Sequence, residues 1–139
     1  YITDLYEVKE PPKIEIDLRV EPITCHGEEN GRITSTVTGG SGNTSMFWEK
    51  KLGSDWKIIS TKNKVDNLNA GIYRLSVQDE KECSEISDEI TLLEPDELKI
   101  KNVILRDIKC VGETGAIDVE AQGGTSPFGF LYKKDDSEQ

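Results

Sequence analysis

Leu68-Asn69-Ala70-Gly71-Ile72-Tyr73-Arg74-Leu75-Ser76-Val77 is the stretch that decides the fold. Its first half reads as a turn leading into a tyrosine corner, in which the Tyr73 hydroxyl bonds backward to the chain. Its second half reads as a strand, with Tyr73, Leu75 and Val77 alternating with polar Arg74 and Ser76. Gly71 belongs to the turn. Outward from this point the chain reads as strands throughout. Lys13–Val20 alternates polar and apolar residues with period two, the mark of a half-buried strand. Arg32–Thr38 is rich in β-branched residues that pack well on a pleated surface. Met46-Phe47-Trp48 opens a third strand, Leu52–Asp55 makes a hairpin loop, and Trp56–Thr61 follows as a fourth. Glu89–Leu93 supplies the last, and no stretch shows a helical period of 3.6. Six or seven short strands in a unit of about 84 residues predict an all-β, immunoglobulin-like β-sandwich with Trp48 packed between its sheets.

The unit recurs. Ile23-Thr24-Cys25-His26-Gly27-Glu28 returns as Ile108-Lys109-Cys110-Val111-Gly112-Glu113, 85 positions on. Gly31-Arg32-Ile33 returns as Gly115-Ala116-Ile117, Gly39-Gly40-Ser41 as Gly123-Gly124-Thr125 and Trp48 as Tyr132, all at 84. Ile2-Thr3-Asp4 aligns with Ile86-Ser87-Asp88, and Glu10-Pro11 with Glu94-Pro95, again at 84. Internal period is the signature of a repeat array. Residues 1–10 are expected to be the carboxyl-terminal strand of a preceding unit, 11–94 a complete unit and 95–139 the first half of the next. The chain then reads as a window onto a longer array. Half a sandwich leaves its apolar face and strand edges open.

Three cysteines is an odd count for an extracellular domain. Cys25 is expected to open the second strand and Cys83 to follow the penultimate one. Their pairing, if strand geometry permits it, closes a long loop worth about 3–4 kcal/mol in the chain-entropy picture. Cys110 then finds its partner one period after Cys83, near position 167, and the odd count follows from where the sequence stops.

The pattern Cys25-x-Gly27, Gly31-x-Ile33, Gly39-Gly40, Trp48, Leu68-x-Ala70-Gly71-x-Tyr73-x-Leu75-x-Val77-x-Asp79 and Cys83 resembles the SprB repeat, named for a mobile gliding adhesin of Bacteroidetes. The glycine pair, proline and alternating aromatics of that family stand in Gly123-Gly124-Thr125-Ser126-Pro127-Phe128-Gly129-Phe130. The first unit departs from it, with Asn43 and Thr44 where proline and an aromatic are expected and Glu82 in place of a small residue. The resemblance implies a very long, secreted, cell-surface protein, often exported by the type IX pathway and linked to gliding and adhesion. It marks no ligand-binding residue here.

Chemistry-bearing residues are sparse. His26 is the only histidine and Val111 replaces it in the next unit, so it reads as an exposed turn residue rather than the centre of a triad. One histidine and three dispersed cysteines cannot make a standard zinc site. No cofactor is expected, although Asp79, Glu80 and Glu82 near Asp88 form the one oxygen-rich loop that offers calcium a place. Gly39-Gly40-Ser41-Gly42 lacks the lysine and helix of a phosphate loop and reads as a turn. Among 27 acidic residues, paired carboxylates occur by accident and carry no weight without a cleft. Trp56, beside a hairpin, is the candidate glycan contact, whereas Trp48 is assigned to the core.

The formal net charge of −10 repels phosphate backbones and anionic lipid, so neither nucleic acid nor membrane insertion is expected. The predicted function is a structural or adhesive segment of an extracellular surface protein, not an enzyme. Its partners would be neighbouring repeats of the same chain, surface polysaccharide or another extracellular ligand, and the secretion and motility machinery. The alternative is a carbohydrate-binding sandwich module.

Overall fold

The computed structural model describes residues 7–133, which divide into two compact units. Among the described residues the first runs from Glu7 to Glu94, without residues 24–26. It holds β1 (Glu15–Glu21), β2 (Gly31–Thr38), β3 (Thr44–Leu52), β4 (Asp55–Ser60), β5 (Lys64–Leu68), β6 (Gly71–Asp79), β7 (Ser84–Ile86) and β8 (Ile90–Leu92). The described residues form no helix.

Two antiparallel sheets make the first unit a β-sandwich. One has the order β1-β2-β5, the other β4-β3-β6-β7, with β8 also paired to β6. Strands β7 and β8 share one edge of β6, at Ser76–Gln78 and Gly71–Tyr73 respectively. Ser87 patches the gap between them. The Leu75 N–H donates to Ser87 Oγ and the Ser87 N–H to Leu75 O, each at 2.9 Å. Period-two alternation places Tyr73, Leu75 and Val77 of β6 inward, where they join Trp48, Ile33, Leu68, Val65, Leu92, Ile14 and Ile23 in the core. Trp48 pairs with Leu75 across β3 and β6 and is fully buried.

Two strands, β5 and β7, go beyond those expected. Cys25 does not open the second strand: β2 begins at Gly31, and Cys25 lies in the bend that follows β1. Glu7–Glu10 form no strand, and the expected strand at 1–10 otherwise falls outside the described residues.

The second unit holds β9 (Lys99–Arg106) and β10 (Ala116–Gln122), an antiparallel pair. Its register repeats that of β1 and β2. Glu15↔Thr38 and Ile16↔Val37 correspond to Lys99↔Gln122 and Ile100↔Ala121 at a constant 84. Beyond them Asp17↔Thr36 to Glu21↔Arg32 correspond to Asn102↔Glu120 to Arg106↔Ala116, with 85 on the first strand and 84 on the second. The added residue is Lys101, taken up in a bulge opposite Glu120 and Ala121. This locates the difference between the two spacings in the sequence. The shorter Cys110–Gly115 loop then restores 84.

Candidate functional site

A cluster of hydrogen bonds outside the core gathers where β1 begins. Gly39 and Gly40, at φ +77° and +73°, turn the chain after β2, and the Gly40 N–H donates to Pro12 O at 2.8 Å. Asp79, buried at the end of β6, ties this turn to the next. Its Oδ2 accepts the Ser41 N–H at 2.9 Å, and its Oδ1 accepts those of Lys81 at 2.8 Å and Cys83 at 2.9 Å. The backbone donors, Ser41 first, hold its carboxyl below the ordinary carboxylate pKa against the opposing effect of burial.

The sign of the pH effect follows. A depressed folded-state pKa contributes stability that is present above the unfolded value of about 3.9 and lost as pH falls through the folded value. The first sandwich is therefore expected to weaken with acid below about pH 4, and Asp79→Asn to weaken it at neutral pH while flattening that acid limb. Urea midpoints measured between pH 2 and 7 check this. Equal acid slopes in both proteins would assign the titration elsewhere.

Tyr73 reaches back to the turn that precedes it. Its hydroxyl donates to Asn69 O at 2.8 Å and lies 3.1 Å from Asn69 Oδ1, while the ring is buried. Tyr73→Phe keeps the ring and strips the donor, so a loss of about 1 kcal/mol is expected in urea denaturation. A change under about 0.3 kcal/mol would mean that the ring alone holds the corner.

The cysteine pairing does not form. All three cysteines are free thiols and exposed. Cys83 sits by Asp79 and Gly40, where β1 begins, whereas Cys25 follows Ile23, which packs by Gly31 where β1 ends. Seven residues of strand separate these ends, about 20 Å, against the 4.4–6.8 Å between Cα atoms that a disulfide spans. The stabilisation expected from a Cys25–Cys83 bridge is accordingly removed. His26, also exposed, has Nδ1 3.2 Å from Pro95 O, with no nucleophile in that contact.

Two carboxylates of the acidic loop accept hydrogen bonds from within the chain. Asp79 serves the three N–H groups, and Glu80 Oε1 accepts from Asn43 Nδ2 at 2.7 Å. Among the described residues no three His, Cys, Asp or Glu side chains converge as metal ligands.

Trp56 lies half-buried on the outer face of the second sheet. The Arg74 guanidinium stands 4.0 Å from its ring centroid and the Lys51 ammonium 5.4 Å. Arg74 is itself fixed by Glu49, at 2.7 Å. A sugar stacking on Trp56 would compete with these cations for the ring.

The signal missed in the sequence was Asp79. In the sequence it stands in the motif as one of several acids on an oxygen-rich loop. Its acceptor role depends on Ser41, 38 residues away, which only the fold brings near.

Residues 19–43 match the family model described as the SprB repeat. They cover the end of β1, the Cys25 bend, all of β2 and the glycine turn. No curated protein and no solved structure matches the chain. The SprB repeat is a structural repeat associated with cell-surface proteins rather than an enzyme family. Residues 19–43, a strand–turn–strand–glycine-turn stretch of an all-β sandwich, are thus similar to the SprB repeat.

Proposed function

We propose that the chain is a structural and adhesive segment of a large secreted surface protein of the gliding-motility type, exported from a Bacteroidetes cell by the type IX pathway. The observation that carries this reading is the recurrence of one hairpin register in β1–β2 and β9–β10, beside the SprB match. Modules of this kind extend an array through identical joints, and each contributes its own core plus a neighbour interface. Residues 11–94 make one such unit, and 95–139 open the next. The immunoglobulin-like reading is supported by the tyrosine corner and by the inter-sheet tryptophan. Neighbouring repeats and extracellular polysaccharide are the partners that fit an acidic surface module.

Protease shaving of intact source cells, followed by an immunoblot against residues 11–94, tests the proposal. A species far larger than 15.5 kDa that disappears on shaving is expected. A small, protected species would overturn it.

A further inference from the structure

The two hairpins share a register but not an environment. In the first unit, Ile14, Ile23, Ile33 and Ser35 are at most 5% exposed. The residues at the same register positions in the second unit are Leu98, Ile108, Ile117 and Val119. They are 56%, 61%, 60% and 38% exposed. Val119 replaces a serine, so this bare face is the more apolar of the two. Of these, Ile117 and Val119 line an open cavity of about 550 Å³ together with Ile100 and Phe130. Soluble surfaces rarely leave so continuous an apolar patch, and a two-stranded sheet is marginal by itself.

The first unit shows what chemistry covers such a face. There Trp48 of β3 and Tyr73, Leu75 and Val77 of β6 close over the hairpin, with Leu92 of β8. Strand β3 takes its ladder pairs from β4 and β6 and none from β1, β2 or β5. The second unit contains the counterparts of Thr44, Met46 and Trp48 as Phe128, Phe130 and Tyr132. They lie in a segment, 128–132, that forms no strand. A strand whose only ladder partners are β4 and β6 cannot form without them.

We infer that the β9–β10 face is an acceptor for one occupant, a segment equivalent to β4–β8 of this same repeat. Its inward Tyr-x-Leu-x-Val strand would pair with 128–132 and lay its apolar side chains over Ile117 and Val119. The inference rests on the repeat reading and names the partner that reading requires.

The test extends the chain with its own residues 49–94, joined after Tyr132, and follows amide hydrogen exchange in both forms. In the original chain, Lys99–Arg106 and Ala116–Gln122 are expected to exchange rapidly. In the extended chain they are expected to slow by about a hundredfold or more. A Leu75→Asp change in the appended copy alone should erase that protection and leave the first unit unaffected. Strong protection in the original chain as a monomer would overturn the inference. So would protection that vanishes on dilution, since a second copy would then be the occupant. An extended chain whose appended strands are protected while β9 and β10 are not would overturn it as well. If the extension does not fold, exchange in the protein isolated from its source decides, and unprotected β9 and β10 there overturn the inference. None of these readings depends on where the cell places the protein, so this failure and that of the surface assignment remain distinct.

Discussion

Trp48→Ala is expected to destabilise the first sandwich by about 3–5 kcal/mol, the range for emptying a large aromatic site in a core. The indole is the largest fully buried side chain and has no exposed surface. It stands on β3 opposite Leu75, with Ile33 of the other sheet in the same core cluster. Alanine therefore leaves a cavity between the sheets, where neither layer can collapse without breaking its own ladders. A second contribution is polar. Trp48 Nε1–H donates to Lys62 O at 2.9 Å, so truncation also leaves that carbonyl without this donor. Domains of this size hold only about 5–15 kcal/mol in total, so the variant sits near its unfolding threshold. Urea denaturation followed by circular dichroism measures the change. Trp48→Phe separates the two causes, because it keeps most of the ring and loses the bond. If alanine costs less than about 1 kcal/mol, the space between the sheets is not held by Trp48.

The position of Trp48 was legible because a tryptophan in the short apolar run Met46-Phe47-Trp48 that opens a strand has few alternatives to burial. Tyr73 was legible for a similar reason: the turn before it fixes where a backward-reaching hydroxyl can bond. Strand β7 escaped because three residues, Ser84–Ile86, are too few to establish a period. Strand β5, Lys64–Leu68, escaped because only Val65 and Leu68 of its five residues are buried. A two-to-three spacing of that kind does not resemble strand alternation. The cysteines misled for a different reason. Their spacing in sequence says nothing about which end of a sandwich each occupies, and β1 carries the chain the full height of the fold between those ends. Asp79 is the complementary case. Its residue type was noticed, but a carboxylate that accepts backbone N–H groups looks in sequence like one that binds a cation.

Gly39→Ala is the second change expected to have a large effect, and comparison with two other glycines isolates why. Gly39 adopts φ +77°, and a Cβ there would overlap the carbonyl oxygen of Lys13 and lie 2.8 Å from its carbon. Both partners are backbone, so no rotamer change relieves the overlap. The Lys13 segment must move off the β2–β3 turn, which strains the neighbouring bond from the Gly40 N–H to Pro12 O. Gly53 shares the left-handed conformation, at φ +64°, but a Cβ there meets nothing within 4 Å. Gly53→Ala should therefore cost only the conformational penalty, about 1–2 kcal/mol, while Gly39→Ala costs that and the displacement of β1. Gly123 reproduces the local problem in the second unit, at φ +74° and against the Glu97 carbonyl. There no buried core depends on the turn, so Gly123→Ala should leave the unfolding midpoint of the first sandwich unchanged. Thermal and urea midpoints of the three variants give the order. If Gly39→Ala falls no further than Gly53→Ala, β1 is free to shift, and the glycine pair serves the turn alone. If it falls well below, the pair is what lets the strand carrying Ile16 and Leu18 lie close against the turn, and the recurrence of the pair at Gly123 and Gly124 has a mechanical cause.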